Sequence, residues 1–140
     1  MLNSKYFTEA ETTVSATGKA LKIKNIPTEQ EKNYIQYTAS RMDHIRELLG
    51  VPLTVLSWFR CEKLNKAVKG SPTSAHRFGL AVDVYSNKMA SKEIYEKALQ
   101  LKQEGKIQFD QLIYYPKNNF VHFGFKLDGS QERGMNWVNN

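Results

Sequence analysis

The spacing of apolar residues predicts one long helix in the first third of the chain. Thr28 and Glu31 form a T-x-x-E capping box at its start, and Gly50 supplies a stop. We therefore expect a helix over residues 28–49 with one face against the core. The residues that recur on this face at intervals of three and four are Tyr34, Thr38, Met42, Ile45 and Leu49.

The rest of the chain alternates between strand-like and helix-like runs. Two further helices are expected, from about Glu62 to Val68 and from Ser91, as the cap, to about Glu104. The order of elements predicts an α+β domain with a small, mostly antiparallel sheet and helices packed on one face. The runs that predict strands are LTVLSWF (53–59), LAVDVY (80–85), FDQLIYY (109–115) and NFVHFGFKL (119–127), the last two forming a hairpin.

Length and composition place these elements in a single domain over residues 1–140. We expect residues 1–27 to form an irregular N-terminal segment and residues 128–140 a polar C-terminal tail. No apolar run approaches the ~20 residues that span a bilayer. The acidic start MLNSKYFTEAETT lacks the features of a secretory signal. We therefore expect a chain that is made in the cytoplasm and does not insert into a membrane, and we also expect a monomer.

Charge and cysteine content exclude several kinds of function. The net charge of +6 favours an anionic partner such as nucleic acid or a cell-wall polymer. The basic residues are dispersed, however, and the one tight run, Lys63, Lys66 and Lys69, has the spacing of a solvated helix face. We therefore expect no nucleic-acid partner. The single cysteine, Cys61, excludes an internal disulfide and a thiolate zinc cluster.

Three polar side chains are candidates for a metal site. Alternation along the strands places Asp83 and His122 on the faces opposite the apolar residues of their strands, and His76 lies in a turn-like segment before Asp83. Two imidazoles and one carboxylate suit Zn²⁺, and three protein ligands would leave a fourth position for water. The alternative is that His76 is an ordinary core histidine and Asp83 a solvated carboxylate.

Three separated motifs lie between Ser57 and His122. They are S-x-H-x(6)-D (Ser74, His76, Asp83), S-x-[FY]-R with a following asparagine (Ser57, Phe59, Arg60, Asn65), and F-D-Q-L-I followed by V-H (Phe109 to Ile113, Val121, His122). Together they resemble the zinc D-alanyl-D-alanine peptidases of the M15 type, in particular the small phage and prophage branch. The resemblance implies the α+β fold that these carboxypeptidases and phage endolysins share with the hedgehog signalling domain.

The resemblance also implies a role for each matching residue. His76, Asp83 and His122 would hold one Zn²⁺ per chain. Arg60 would bind the free C-terminal carboxylate, or another anionic group, of the peptide stem, its alternative being a surface salt bridge. Ser74 would hydrogen-bond the substrate near the metal, its alternative being a turn-capping hydroxyl. The implied reaction is hydrolysis of peptidoglycan stem peptides at D-alanine, by a carboxypeptidase or an endolysin-like endopeptidase. Such a protein would act on the cell wall or in the periplasm, and a phage origin is expected.

The chain departs from the family at the general base. Relatives usually carry a glutamate five residues after the F-D-Q aspartate, and that position is Tyr115 here. Asp110 is the substitute candidate, with a structural role such as bonding a neighbouring loop as its alternative. Tyr114 or Tyr115 could instead bind the substrate by donating to its oxyanion. Glu62 and Glu132 are further candidates for the base. The departure motivates a second hypothesis, a zinc-holding wall-binding or virion-associated protein without turnover.

Overall fold

A computed structural model describes residues 1–140 of the chain and contains one five-stranded sheet with four α-helices. The strand order is β1-β2-β4-β3-β5, and every neighbouring pair is antiparallel except β3 and β5. The expected α+β class with a mostly antiparallel sheet is confirmed. The helices are α1 (Ala16–Ala20), α2 (Glu29–Leu49), α3 (Glu62–Ala67) and α4 (Ser91–Gln103), and the strands are β1 (Thr54–Ser57), β2 (Ala81–Tyr85), β3 (Gln111–Tyr115), β4 (Phe120–Gly124) and β5 (Met135–Val138).

Helix α2 begins and ends where its sequence predicts. The Thr28 hydroxyl accepts from the Glu31 N–H at 3.2 Å, and the Glu31 carboxylate accepts from the Thr28 N–H at 2.9 Å. Gly50 ends the helix with φ 75°, a left-handed conformation that glycine adopts without strain. The first buried position is Ile35, and Tyr34, which the sequence pattern places on the buried face, is half-buried. The buried residues of α2 are Ile35, Thr38, Ala39, Met42, Ile45 and Leu49.

The hydrophobic core fixes which face of the sheet is free for other chemistry. The apolar residues of the central strands β2 and β4 belong to one core cluster with α2 and α4. Each fully buried aliphatic or aromatic side chain in such a core contributes about 2 kcal/mol. Because a slip of one residue would turn these side chains to the opposite face, the core also sets the register of the strands. The core residues of β2 and β4 are Val82, Val84, Val121 and Phe123.

The two ends of the chain carry more regular structure than the sequence pattern indicates. Residues 1–27 contain a 3₁₀ turn at Ala10–Thr13 and the short helix α1. In place of the expected polar tail, the last residues form β5, whose Met135 N–H donates to the Asp110 carbonyl at 2.9 Å. The strand escaped prediction because its partner is the backbone edge of β3. None of the helices combines the length and hydropathy that a bilayer span requires.

The start of α4 also differs from the expectation in one detail. The N-cap residue is Ala90, and Ser91 is the first residue of the helix. The Ser91 hydroxyl is buried and makes no hydrogen bond. Its side chain therefore does not cap the helix.

Candidate metal centre

Three ionisable side chains meet on the face of the sheet opposite the core. Asp83 on β2 and His122 on β4 are direct cross-strand partners, and His76 lies in the 3₁₀ turn Ala75–Phe78 that leads into β2. Asp83 Oδ1 lies 3.1 Å from His76 Nε2 and 2.8 Å from His122 Nδ1. All three side chains are buried, and their ligand atoms lie within 4.8 Å of one another. We call these three residues the His-Asp-His cluster.

The turn that carries His76 is fixed by its own hydrogen bonds and by close packing. The Ser74 hydroxyl accepts from the His76 N–H at 3.3 Å, and Gly79 ends the turn with φ 74°. A Cβ at Gly79 would lie 2.6 Å from Cγ1 of Ile35 on α2. The Gly79 carbonyl accepts from the Trp58 indole N–H at 3.1 Å. Only glycine satisfies both the backbone angle and the space, and this brings His76 to the sheet.

Each imidazole is oriented by an acceptor on its far side. His76 Nδ1 lies 2.7 Å from the Trp58 carbonyl oxygen, and His122 Nε2 lies 3.3 Å from Gln111 Oε1. Carbonyl oxygens only accept hydrogen bonds, so these two nitrogens carry the protons. The other nitrogens, His76 Nε2 and His122 Nδ1, direct their lone pairs toward the Asp83 carboxylate.

This arrangement of donors fits a divalent cation. Two imidazole lone pairs and a carboxylate oxygen repel one another unless an extra proton or a cation lies between them. Two nitrogen donors and one oxygen donor form a set that zinc binds in proteins. His76, Asp83 and His122 are therefore the residues that would hold the metal, and their orientation is the one that metal-binding histidines show.

The electrostatics of the cluster favour the protonation states of metal ligands. Burial by itself raises the pKa of Asp83, but the charge of His76 and hydrogen bonds from both histidines, in the form in which a proton occupies the nitrogen facing Asp83, outweigh burial and hold that pKa well below its ordinary value. Burial lowers the pKa of His122, against the opposing effect of Asp83. An ionised carboxylate and a neutral imidazole are the forms that bind a metal.

Arg60 presents a guanidinium beside the cluster. Its backbone N–H donates to the His76 carbonyl at 2.9 Å, and its Nη1 donates to Asn65 Oδ1 at 3.3 Å. Burial lowers the pKa of Arg60, while the charges of Asp83 and Tyr115 raise it. No carboxylate forms an ion pair with Arg60, so its charge is available to an anionic ligand.

Ser74 lies at the edge of a cavity that reaches the cluster. The cavity has a volume of about 490 Å³ and is lined in part by Ser74, Gln111, His122 and Asp110. The Ser74 hydroxyl accepts from the backbone of His76, as the capping interpretation expects. Its position at the cavity also keeps it in reach of a ligand there.

Asp110 lines the same cavity but its carboxylate is fully engaged. Its oxygens accept from Arg133 three times, from the backbone N–H at 2.9 Å, from Nε at 3.0 Å and from Nη2 at 2.8 Å. Burial alone raises the pKa of Asp110, but the hydrogen bonds and charge of Arg133 hold it below its ordinary value. Such a carboxylate is a weak base. The geometry matches the structural alternative, in which Asp110 holds a neighbouring loop.

The two glutamates considered as bases are also occupied elsewhere. The Glu132 side chain is buried and pairs with Arg41 at 2.7 Å. Glu62 forms an exposed ion pair with Lys66 on α3 at 3.2 Å. No carboxylate apart from Asp83 belongs to the His-Asp-His cluster.

Tyr115, at the position of the usual glutamate, lies on the same face as the cluster. In β3, Ile113 is the partner of His122 and Tyr115 is the partner of Phe120. The Tyr115 ring stacks on Phe120 with centroids 4.6 Å apart. Burial, together with the charge of Asp83, raises the pKa of Tyr115. Its hydroxyl is therefore protonated at neutral pH and can donate a hydrogen bond.

Sequence reasoning did not assign the two groups that orient the imidazoles. Gln111 lies inside the F-D-Q motif, and its alternation with Ile113 was the signal that could have placed it beside His122. The Trp58 carbonyl carries no signal, since every residue type has a backbone carbonyl. Tyr114, the other tyrosine considered, points to the core side and packs near Tyr95 with ring centroids 6.0 Å apart.

Comparison with known proteins identifies a family. The model for peptidase M15 matches residues 5–124. A comparison with curated proteins found no significant match. The matched range includes the whole His-Asp-His cluster and Arg60, and it ends before β5. The chain belongs to the peptidase M15 family.

Proposed function

We propose that the protein is a zinc-dependent metallopeptidase that cleaves peptidoglycan stem peptides at D-alanine. It would act as a D-Ala-D-Ala carboxypeptidase or as an endolysin-like endopeptidase. The observation that carries the proposal is the His-Asp-His cluster, in which two oriented imidazoles and one carboxylate converge and His122 lines a cavity. Membership of the M15 family supports peptide hydrolysis, and the sequence motifs support the choice of substrate.

The residues around the cluster have separable roles in such a reaction. Zinc bound there would supply Lewis acidity to the scissile carbonyl and acidify a water molecule. Arg60 would bind the carboxylate of the peptide, for which a planar guanidinium is suited. The Tyr115 hydroxyl would donate to the oxyanion as it develops. The Trp58 carbonyl and Gln111 would keep both imidazoles in the orientation that binds metal.

The missing glutamate sets the expected rate. General-base catalysis contributes about 10² to 10⁴-fold in rate, and neither Asp110 nor Glu132 is free to supply it. We therefore expect slow turnover relative to peptidases with that glutamate. The same observation favours a second candidate, a zinc-holding protein that binds the wall or a virion without cleaving.

Two measurements on purified protein test the proposal. We expect about one zinc per chain and release of D-alanine from a stem pentapeptide. His76→Ala should remove both, because it deletes a ligand. His44→Ala is the matched control, since His44 is exposed on α2 and bonds the Lys106 carbonyl far from the cluster.

Each outcome decides between the candidates. Zinc-dependent release of D-alanine would exclude the binding protein. Bound zinc and wall affinity without release would favour it over the peptidase. Cleavage by metal-free protein would overturn the metal-dependent mechanism altogether.

The place of action follows from the proposed substrate. We propose that the protein is synthesised in the cytoplasm and acts on the bacterial wall or in the periplasm, as a phage-encoded protein that takes part in lysis. We further propose that it is a monomer and has no nucleic-acid partner. The dispersed basic residues support the absence of a nucleic-acid partner. DNA affinity that falls steeply with salt would contradict this part of the proposal.

A further inference from the structure

One row of side chains crosses the whole sheet on the face of the His-Asp-His cluster. The backbone register pairs Ser57 with Asp83, Asp83 with His122, His122 with Ile113, and Ile113 with Trp137. Side chains at directly paired positions point to the same face. Trp137 on the edge strand β5 therefore lies on the face that carries the proposed metal ligands.

Trp137 is a partly exposed aromatic side chain that stacks on no other aromatic ring and lies beside its cross-strand partner Ile113. It is 37% exposed, whereas the other tryptophan, Trp58, is fully buried. The indole N–H of Trp137 makes no hydrogen bond, whereas the indole N–H of Trp58 donates to the Gly79 carbonyl. Met135, two residues earlier on the same face, is also exposed. Exposed apolar side chains beside a functional site are typical of a ligand-binding surface.

The strand that carries Trp137 is an addition to the part of the chain matched by the family. The match ends at residue 124, and β5 spans Met135–Val138. All four residues of β5 remain partly exposed, and Trp137 lies beside the buried Ile113. Backbone hydrogen bonds to β3 and the Asp110–Arg133 ion pair just before the strand also hold it in place. The exposed part of its apolar side chains is therefore available to a ligand.

The distances along the row define which part of a substrate would reach Trp137. His122 and Trp137 are two strands apart, which corresponds to about 10 Å between their Cα atoms. An extended peptide covers this distance with about three residues. Arg60 follows β1, the strand at the sheet edge opposite β5. Burial lowers the pKa of Arg60 overall, but its guanidinium is close enough to Asp83 and Tyr115 for their charges to raise that pKa.

We propose that Trp137 is a substrate-binding residue that contacts the peptide about three residues N-terminal to the cleaved bond. The inference rests on the proposed function. A peptide whose terminal carboxylate is bound by Arg60 would cross the cluster and continue toward β5. Trp137 would then pack its ring against the methylene groups of the residue at that position, D-Glu in the stem pentapeptide, and offer its indole N–H to a peptide carbonyl. The site would thus prefer long stem peptides to short ones.

Kinetics with two substrate lengths test the proposal on the zinc-loaded protein. We expect KM for the pentapeptide L-Ala-D-Glu-L-Lys-D-Ala-D-Ala to be about tenfold lower than for acetyl-L-Lys-D-Ala-D-Ala, the size of effect that an aromatic contact gives. Trp137→Ala should raise KM for the pentapeptide to that of the short peptide and leave kcat unchanged. KM for the short peptide should stay the same, since it does not reach β5.

The matched control is Val138→Ala on the same strand. Val138 is 44% exposed but pairs with Tyr114, so it lies on the opposite face. We expect it to leave both KM values unchanged. Equal KM values for the two peptides in the unmodified protein, or equal effects of both substitutions, would overturn the proposal.

A binding measurement separates this inference from the proposed reaction. The tetrapeptide L-Ala-D-Glu-L-Lys-D-Ala should bind without being cleaved and should shift the emission of Trp137 to shorter wavelength, because Trp58 is already buried. Trp137→Phe should abolish the shift. A shift in a protein that cleaves neither peptide would leave the binding inference standing while the proposed reaction fails. Cleavage of the pentapeptide without a shift would overturn the inference alone.

Discussion

At the scale of single residues, the candidate metal centre depends on what each imidazole bonds on its far side. The Trp58 carbonyl and the Gln111 side chain accept from His76 and His122, so both lone pairs point to Asp83. Such acceptors affect metal binding through orientation and ligand basicity, without touching the metal. The contact with Gln111 is the one that a substitution can remove.

Gln111→Leu should weaken zinc binding by about 10 to 100-fold, because His122 loses the acceptor that selects its tautomer. Gln111→Glu keeps an acceptor and should retain the affinity. Competition with a chelator of known zinc affinity measures both. The control is Gln100→Leu on the exposed side of α4. Unchanged zinc affinity in Gln111→Leu would show that the side chain does not orient His122.

At the scale of elements, the turn between β1 and β2 sets the position of His76. The turn packs against α2, where a Cβ at Gly79 would lie 2.6 Å from Cγ1 of Ile35. A positive φ and a lack of space act together there. Another glycine, Gly105, has the same φ of 74° after α4 but nothing within 4 Å of a Cβ. Substituting each glycine in turn therefore separates the free-energy cost of the backbone angle from the cost of steric crowding.

Gly105→Ala should destabilise the protein by about 1 kcal/mol, the cost of a left-handed conformation for an L-residue. Gly79→Ala should cost about 1 to 3 kcal/mol more, because the added methyl overlaps Ile35 in a packed region. Urea unfolding of both variants measures the difference. Similar free energies of unfolding for the two variants would mean that Ile35 on α2 moves to accommodate the methyl group at no measurable cost.

Side-chain periodicity predicted those elements that have one apolar face. The alternation along β2 and β4 correctly placed Asp83 and His122 opposite the core, because only one register buries the valines. Side-chain periodicity could not predict β5, because this strand is joined to β3 by backbone hydrogen bonds. Nor could it predict that Asp110 binds Arg133, which lies 23 residues further along the chain.

At the scale of the whole molecule, stability depends on carboxylates with lowered pKa values. Burial alone raises the pKa of Glu31, but its bonds to Thr28 and Arg77 lower it overall. The pKa of Asp110 is lowered in the same way by Arg133. A carboxylate with a lower pKa in the folded state stabilises the fold above its unfolded pKa, and this contribution is lost as the pH falls through the folded pKa.

Asp110→Asn should therefore destabilise the protein at pH 7 and progressively less as the pH falls below about 4. We expect about 1 kcal/mol at pH 7, since Arg133 is half exposed and solvent screens its charge. Urea unfolding at pH 7 and pH 3, with chelator present, measures the change. Glu96→Gln on the exposed side of α4 is the control. A destabilisation independent of pH would mean that hydrogen-bond geometry, not charge, anchors the loop.

The use of a main-chain oxygen to orient His76 has an evolutionary consequence. Every amino acid at position 58 would offer the same carbonyl, so mutation of that codon cannot delete the acceptor. The acceptor for His122 belongs to a side chain and disappears with most replacements of Gln111. Substitutions that remove an imidazole acceptor should therefore affect metal affinity through His122, and His76 should be sensitive instead to changes in the turn that positions it, such as those at Gly79.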